Sequence, residues 1–177
     1  MSGRVPVLLA LIAAAAVANA GCTPVASPDG KNKTAACASE FSFNKNAEPL
    51  GSLSRFADGA IAAAAAGTPT TLRDLARSAG WQDGFDRIVD VPQQTTAAEL
   101  DRRAGTSGVC WKGLSEMSDS DYGRPRYGYY LFLNGNQPIQ ITPWFEPGQR
   151  PFDFRGRDQI LSDTPLVGTG GKKLAPE

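Results

Sequence analysis

The chain of 177 residues contains no histidine. That absence excludes Ser-His-Asp and Cys-His nucleophile systems, in which an imidazole takes the proton. It also excludes histidine-ligated zinc, whether catalytic or structural, and a histidine pH switch. Chemistry, if any, must run on carboxylates, lysine, tyrosine or serine-lysine pairs. Net charge is missing too, because 18 Lys and Arg face 18 Asp and Glu. Nucleic-acid binding needs a basic footprint, so no nucleic-acid partner is expected. G-x-S-x-G, P-loop and G-x-G-x-x-G motifs are absent from the sequence, so neither a nucleotide cofactor nor any other is expected.

Long hydrophobic runs are scarce. The one that stands out is residues 5–18, which carry no charged or polar side chain and follow Arg4. A transmembrane helix needs about 20 apolar residues, whereas a signal h-region needs fewer. Residues 1–21 therefore read as an export signal of the lipoprotein type. Ala20-Gly21-Cys22 supplies the small-small-cysteine ending of a bacterial lipobox, which would make Cys22 a lipidated N-terminus. Asn19 stands where a lipobox usually has leucine, and Ala18-Asn19-Ala20 is also an A-x-A site. Cleavage before Gly21, giving a secreted soluble protein, stays open beside cleavage before Cys22. Residues 22–33 are small, polar and proline-containing, the composition of a flexible tether.

Cysteine is equally sparse, at three residues. An exported protein with three leaves one over after pairing. With lipid on Cys22, Cys37 and Cys110 remain as a disulfide pair in an oxidising compartment. Such a bridge closes a loop of about 70 residues and contributes roughly 4 kcal/mol on the chain-entropy account.

Residues 34–167 then form one domain of ordinary size. Residues 53–66 are alanine-rich, and alanine is the best helix former. Thr71 caps a second helix with Leu72, Leu75, Ala76 and Ala79 on one face and Gly80 beyond its end. Residues 85–91 alternate as a strand, and Thr96-Ala97-Ala98-Glu99 has capping-box spacing ahead of a short helix to Ala104. Residues 127–133 (YGYYLFL) are a strong strand. Asn134-Gly135 is a hairpin signal, and residues 138–142 return with Ile139 and Ile141 on one side. Extended pieces are expected at residues 152–154 and 158–167, then a loose tail over residues 168–177. The expected fold is α+β, a two-layer sandwich with helices packed on an antiparallel β-sheet meander.

Phe85-Asp86-Arg87-Ile88-Val89, Leu131-Phe132-Leu133-Asn134-Gly135 and Phe152-Asp153-Phe154 together resemble a loose group of small bacterial exported lipoproteins. The likeness covers residues 71–167. It implies an envelope location and an α+β sandwich, and it brings no catalytic residue and no ligand.

Strand alternation puts Tyr127 and Tyr129 on one face and Tyr130 and Phe132 on the other. A face left uncovered would be an aromatic platform suited to glycan, lipid or protein. Tyr127, Tyr129, Trp144, Phe145 and Arg126 form the candidate binding surface. Arg124, Arg150, Arg155 and Arg157 flank it, either as surface charge or as part of an anionic-ligand site. Asp119-Ser120-Asp121-Tyr122-Gly123 begins like a calcium loop but lacks the later ligands, so no metal is expected. The expected function is a non-catalytic envelope lipoprotein, tied to the membrane through its N-terminal lipid, that binds a protein or cell-wall component. Two alternatives are a carboxylate-dependent envelope hydrolase and an immunity or inhibitor protein for a secreted partner.

Overall fold

Local sequence signals set the three helices. The computed structural model describes residues 36–45, 47–114, 127–146, 148–170 and 172–177. The chain divides into Met1–Thr34 and Ala35–Glu177, and every described residue belongs to the second unit. The signal, Cys22, the tether, Arg124, Arg126 and the calcium-like Asp119 to Gly123 stretch lie outside the described residues.

Helix α1 spans Leu53–Ala66. The Ser52 hydroxyl accepts from the Arg55 amide at its start, and Gly67 ends it at φ 66°, a left-handed conformation that costs glycine nothing. Phe56, Ala60 and Ala64, four residues apart, form its buried stripe. Helix α2, Leu72–Ser78, is capped by Thr71, whose hydroxyl accepts from the Asp74 amide and donates to the Asp74 carboxylate. Helix α3, Ala97–Ala104, is capped by Thr96, whose hydroxyl accepts from the Glu99 amide. The Glu99 carboxylate bonds Arg103 one turn on.

Strands β2 (Arg87–Pro92), β4 (Tyr127–Asn134), β5 (Gln137–Phe145) and β6 (Gln159–Leu161) form a four-stranded antiparallel sheet in the order β5-β4-β2-β6. Helices α1 and α2 cover one face with a core that includes Phe56, Leu72, Trp81, Ile88, Tyr130, Phe132 and Trp144. This is the expected α+β arrangement of helices on an antiparallel sheet. The other face is covered as well. Leu100 and Ala104 of α3 pack there with Phe43, Val89, Val91, Leu131, Leu133 and Ile141. β1 (Ser39–Ser42) and β3 (Val109–Lys112) lie parallel to each other and deliver Phe41, Phe43 and Trp111 to this second core. Cys37 and Cys110 are joined by a disulfide with Cα atoms 5.6 Å apart, as the cysteine count implied. Among the described residues, no helix is long and apolar enough to cross a membrane.

Three sequence expectations are corrected. Residues 168–177 are not a loose tail. β7 (Leu166–Thr169) and β8 (Lys173–Pro176) form an antiparallel hairpin, and Leu174 and Ala175 are fully buried. Their burial against α1 outweighs the glycines and lysines that made the segment read as solvated. Second, Ile139 and Ile141 face opposite sides. The β4–β5 register slips between Phe132 and Leu133, and a one-residue slip inverts the faces. Ile141 enters the second core while Ile139 packs on the first. Third, the hairpin turns at Gly135 and Asn136, because Asn134 still pairs with Gln137. Only Gly135 of that pair has positive φ, at 53°, and the Asp86 carboxylate accepts from its amide.

Gly128 shows where packing dictates the residue. It pairs with Trp144 across β4 and β5, and a Cβ there would meet the indole and lie 2.5 Å from the Val91 carbonyl oxygen. Gly128→Ala is expected to cost about 1–3 kcal/mol by overpacking. Gly59→Ala in α1 meets nothing within 4 Å and is expected to gain roughly 0.5–1 kcal/mol from helix propensity alone. Urea unfolding of the two variants checks both signs. A neutral Gly128→Ala would mean that the indole can move aside.

Candidate functional site

Strand β2 has the side-chain sequence Arg-Ile-Val-Asp-Val-Pro, an acid set among apolar residues. Alternation turns Val89 and Val91 to one core and Ile88 and Asp90 to the other. The Asp90 side chain is 12% exposed. A carboxylate buried this far is tolerated only when paired and hydrogen-bonded. The Trp144 indole nitrogen donates to one oxygen at 3.0 Å, and Arg150 donates to the other at 2.5 Å. Arg150 also donates to Glu146 at 2.8 Å, and its guanidinium lies 4.4 Å from the Trp144 ring centroid. Tyr130, beside this node, accepts from the Phe152 amide through its hydroxyl. The node thus ties the end of β5 and the loop after it to the middle of the sheet.

Burial moves these groups. It pushes the Asp90 carboxyl above the usual carboxylate range, and the opposing pull of Arg150 does not cancel it. The Tyr130 phenol is pushed well above its ordinary value, again by burial first. Burial lowers the Arg150 guanidinium, but its bonds to Glu146 and Asp90 outweigh that and leave it raised.

Beside the node, a cleft of about 290 Å³ is bordered by Asp90, the last turn of α3 and residues 153–158. Arg103 reaches in from α3 and donates to the Asp90 backbone oxygen at 3.3 Å, past the point where β6 stops pairing with β2. Arg102 and Arg103 both engage Asp158. A wider and shallower cleft of about 600 Å³ lies along β6, where Arg73 holds Asp163 and Arg87 donates to the Ala104 carbonyl at the end of α3. Asp86 and Arg87, adjacent on the chain, pair at 2.7 Å with Arg87 mostly buried.

The expected aromatic surface divides between the two faces. Tyr127 pairs with Phe145 in register, with ring centroids 6.5 Å apart, and Phe145 is 45% exposed. Tyr129 is half-buried against Phe43, and burial pushes its phenol up. Trp144 leaves the group, because at 2% exposure it is core on the opposite face. Adjacent strand residues cannot share a face, so Trp144 and Phe145 could not both belong to one platform. Trp111, next to the disulfide, packs edge-on to Phe41 and donates to Asp101 at 3.0 Å.

Sequence reasoning named Arg150, Arg155 and Arg157 but missed Asp90 and Arg103. The signal for Asp90 was an acid flanked by valines in a central strand. It also passed over Ser42-Phe43-Asn44-Lys45, which has S-x-x-K spacing. That motif works when serine and lysine share a helix face. Here Ser42 ends a strand and its hydroxyl accepts from the Asn44 amide. Among the described residues, no group of three acids or cysteines is placed to hold a metal ion.

The chain matches no protein-family model, no curated protein and no solved structure.

Proposed function

We propose that the chain is a lipid-anchored protein of the bacterial cell envelope that binds a protein or envelope component and carries out no chemistry of its own. The observation that carries this reading is the pairing of Cys37 with Cys110. It takes two of three cysteines and leaves Cys22 as the odd one, at the end of a lipobox-like leader. A disulfide inside the domain accords with an oxidising compartment.

The state of Asp90 supports binding over hydrolysis. Both its oxygens already accept, from Trp144 and Arg150. A general acid must present its proton to a substrate within hydrogen-bond reach, and this carboxyl is committed to packing. The surface offered to a partner is the ledge of Phe145 and Tyr127, with Tyr129 behind it. Aromatic rings of this kind provide large contact area at low entropic cost.

Mass analysis of the mature N-terminus tests the anchor. The expected result is an acylated Cys22, with Cys22→Ser moving the protein from the membrane fraction to the soluble one. A free Gly21 N-terminus would replace the anchored reading with a secreted one. Pull-down from envelope extract tests the ledge. Capture should fall on Phe145→Ala and Tyr127→Ala while the melting temperature holds. Turnover of a peptidoglycan or ester substrate, abolished by one carboxylate substitution, would overturn the non-catalytic reading.

A further inference from the structure

We propose that the cleft beside Asp90 is an oxyanion site, which takes a carboxylate or phosphate group of a ligand through Arg155 and Arg157. The proposal needs neither the lipid anchor nor the aromatic ledge.

The cleft is lined by four arginines and three aspartates, which leaves one positive charge in excess. How these charges are committed matters more than their number. Asp90 is held by Arg150, and Asp158 by Arg102 and Arg103. Asp153 accepts from the Arg155 backbone amide at 2.9 Å. Asp90 and Asp158 are therefore paired away from the Arg155 and Arg157 side chains, and Asp153 makes a backbone bond with one oxygen. Arg157 donates to the Glu177 backbone oxygen at 3.3 Å, and the Arg155 guanidinium has no partner among the described residues.

One further observation points the same way. Arg155 sits at φ 50°, in the left-handed region, followed by Gly156 at 77°. A long side chain is an uncommon occupant of that conformation, and such positions cluster at ligand clamps. Arg155 and Arg157 both line the cleft. A guanidinium presents its donors as a planar fork, the shape that matches carboxylate and phosphate oxygens.

The experiment follows arginine Nε–H signals by NMR in the mature domain, titrated with sodium phosphate and separately with sodium acetate at constant ionic strength in chloride. The expected result is a saturating shift at Arg155 and Arg157 with at least one of the two anions. Arg155→Gln/Arg157→Gln should weaken it at least tenfold without changing the melting temperature, since both side chains are exposed. Arg73, already held by Asp163 in the other cleft, serves as the reference signal. Saturation by acetate assigns a carboxylate ligand, and saturation by phosphate alone assigns a phosphate ester. Linear shifts equal to those at Arg73, or binding unchanged in the double variant, would overturn the site.

Discussion

Asp90→Ala is expected to lower the unfolding free energy by about 3–5 kcal/mol, the range for removing one partner of a buried ion pair. The cost arises in what is left behind. Trp144 loses the acceptor for its indole N–H inside the core, and Arg150 keeps Glu146 as its carboxylate partner. Arg150→Ala should cost a similar amount, because it strands the Asp90 charge. A pairwise term shows whether the two act as one unit. Asp90→Ala combined with Arg150→Ala should cost clearly less than the sum of the single changes, since neither charge then remains unpaired. Additive losses would mean that the ion pair contributes nothing of its own.

The same group carries a pH signature. Burial raises the Asp90 carboxyl in the folded state above its unfolded value. As pH falls, the folded protein takes up this proton before the unfolded chain does. The contribution of Asp90 to stability is therefore fully present below the unfolded value and is lost as pH rises through the higher folded value. Asp158 and Asp163 run the other way, because bonds to Arg102 and Arg73 lower them. Those carboxylates are exposed, so solvent screens their effect. Asp90→Asn keeps an acceptor for Trp144 and removes the titration. Urea unfolding between about pH 3 and pH 7 should show a smaller fall of stability with rising pH in that variant. Identical profiles would mean that Asp90 titrates alike in both states.

How much of this was legible depends on the distance along the chain over which each signal acts. Thr71, Thr96 and Gly105 mark helix ends through bonds to residues about a turn away, and Gly67 through its left-handed φ, so the three helices could be read directly. Phe145 and Trp144 could not be assigned, because the face of each depends on the phase of β5, and a register slip at Phe132 fixes that phase. The 168–177 hairpin lacks a strong local signal, and its strand character comes from docking on α1 and from the Phe152–Leu174 bridge. Asp90 and Arg150 are 60 residues apart. Their pairing is a product of the finished fold, so composition and spacing offered only one clue, a charge in a strand that otherwise belongs to the core.

Loss of the Cys37–Cys110 bridge, by Cys37→Ser with Cys110→Ser, is expected to destabilise the domain by roughly 4 kcal/mol on the chain-entropy account. The bridge spans 73 residues, so it removes much freedom from the unfolded chain. The loss should not be uniform. Among the described residues β1 pairs only with β3, through a ladder of four residues, and an isolated two-stranded pair is marginal in water. β1 is also held by the burial of Phe43, the bond from its amide to the Lys112 carbonyl, the packing of Phe41 on Trp111 and the exposed Glu40–Lys112 pair. Without the bridge, β1 is expected to open first. Hydrogen exchange at the Phe41 and Phe43 amides should then quicken more than at Leu131 in the central sheet. Unchanged exchange at β1 together with an unchanged urea midpoint would show that the ladder and Phe43 suffice.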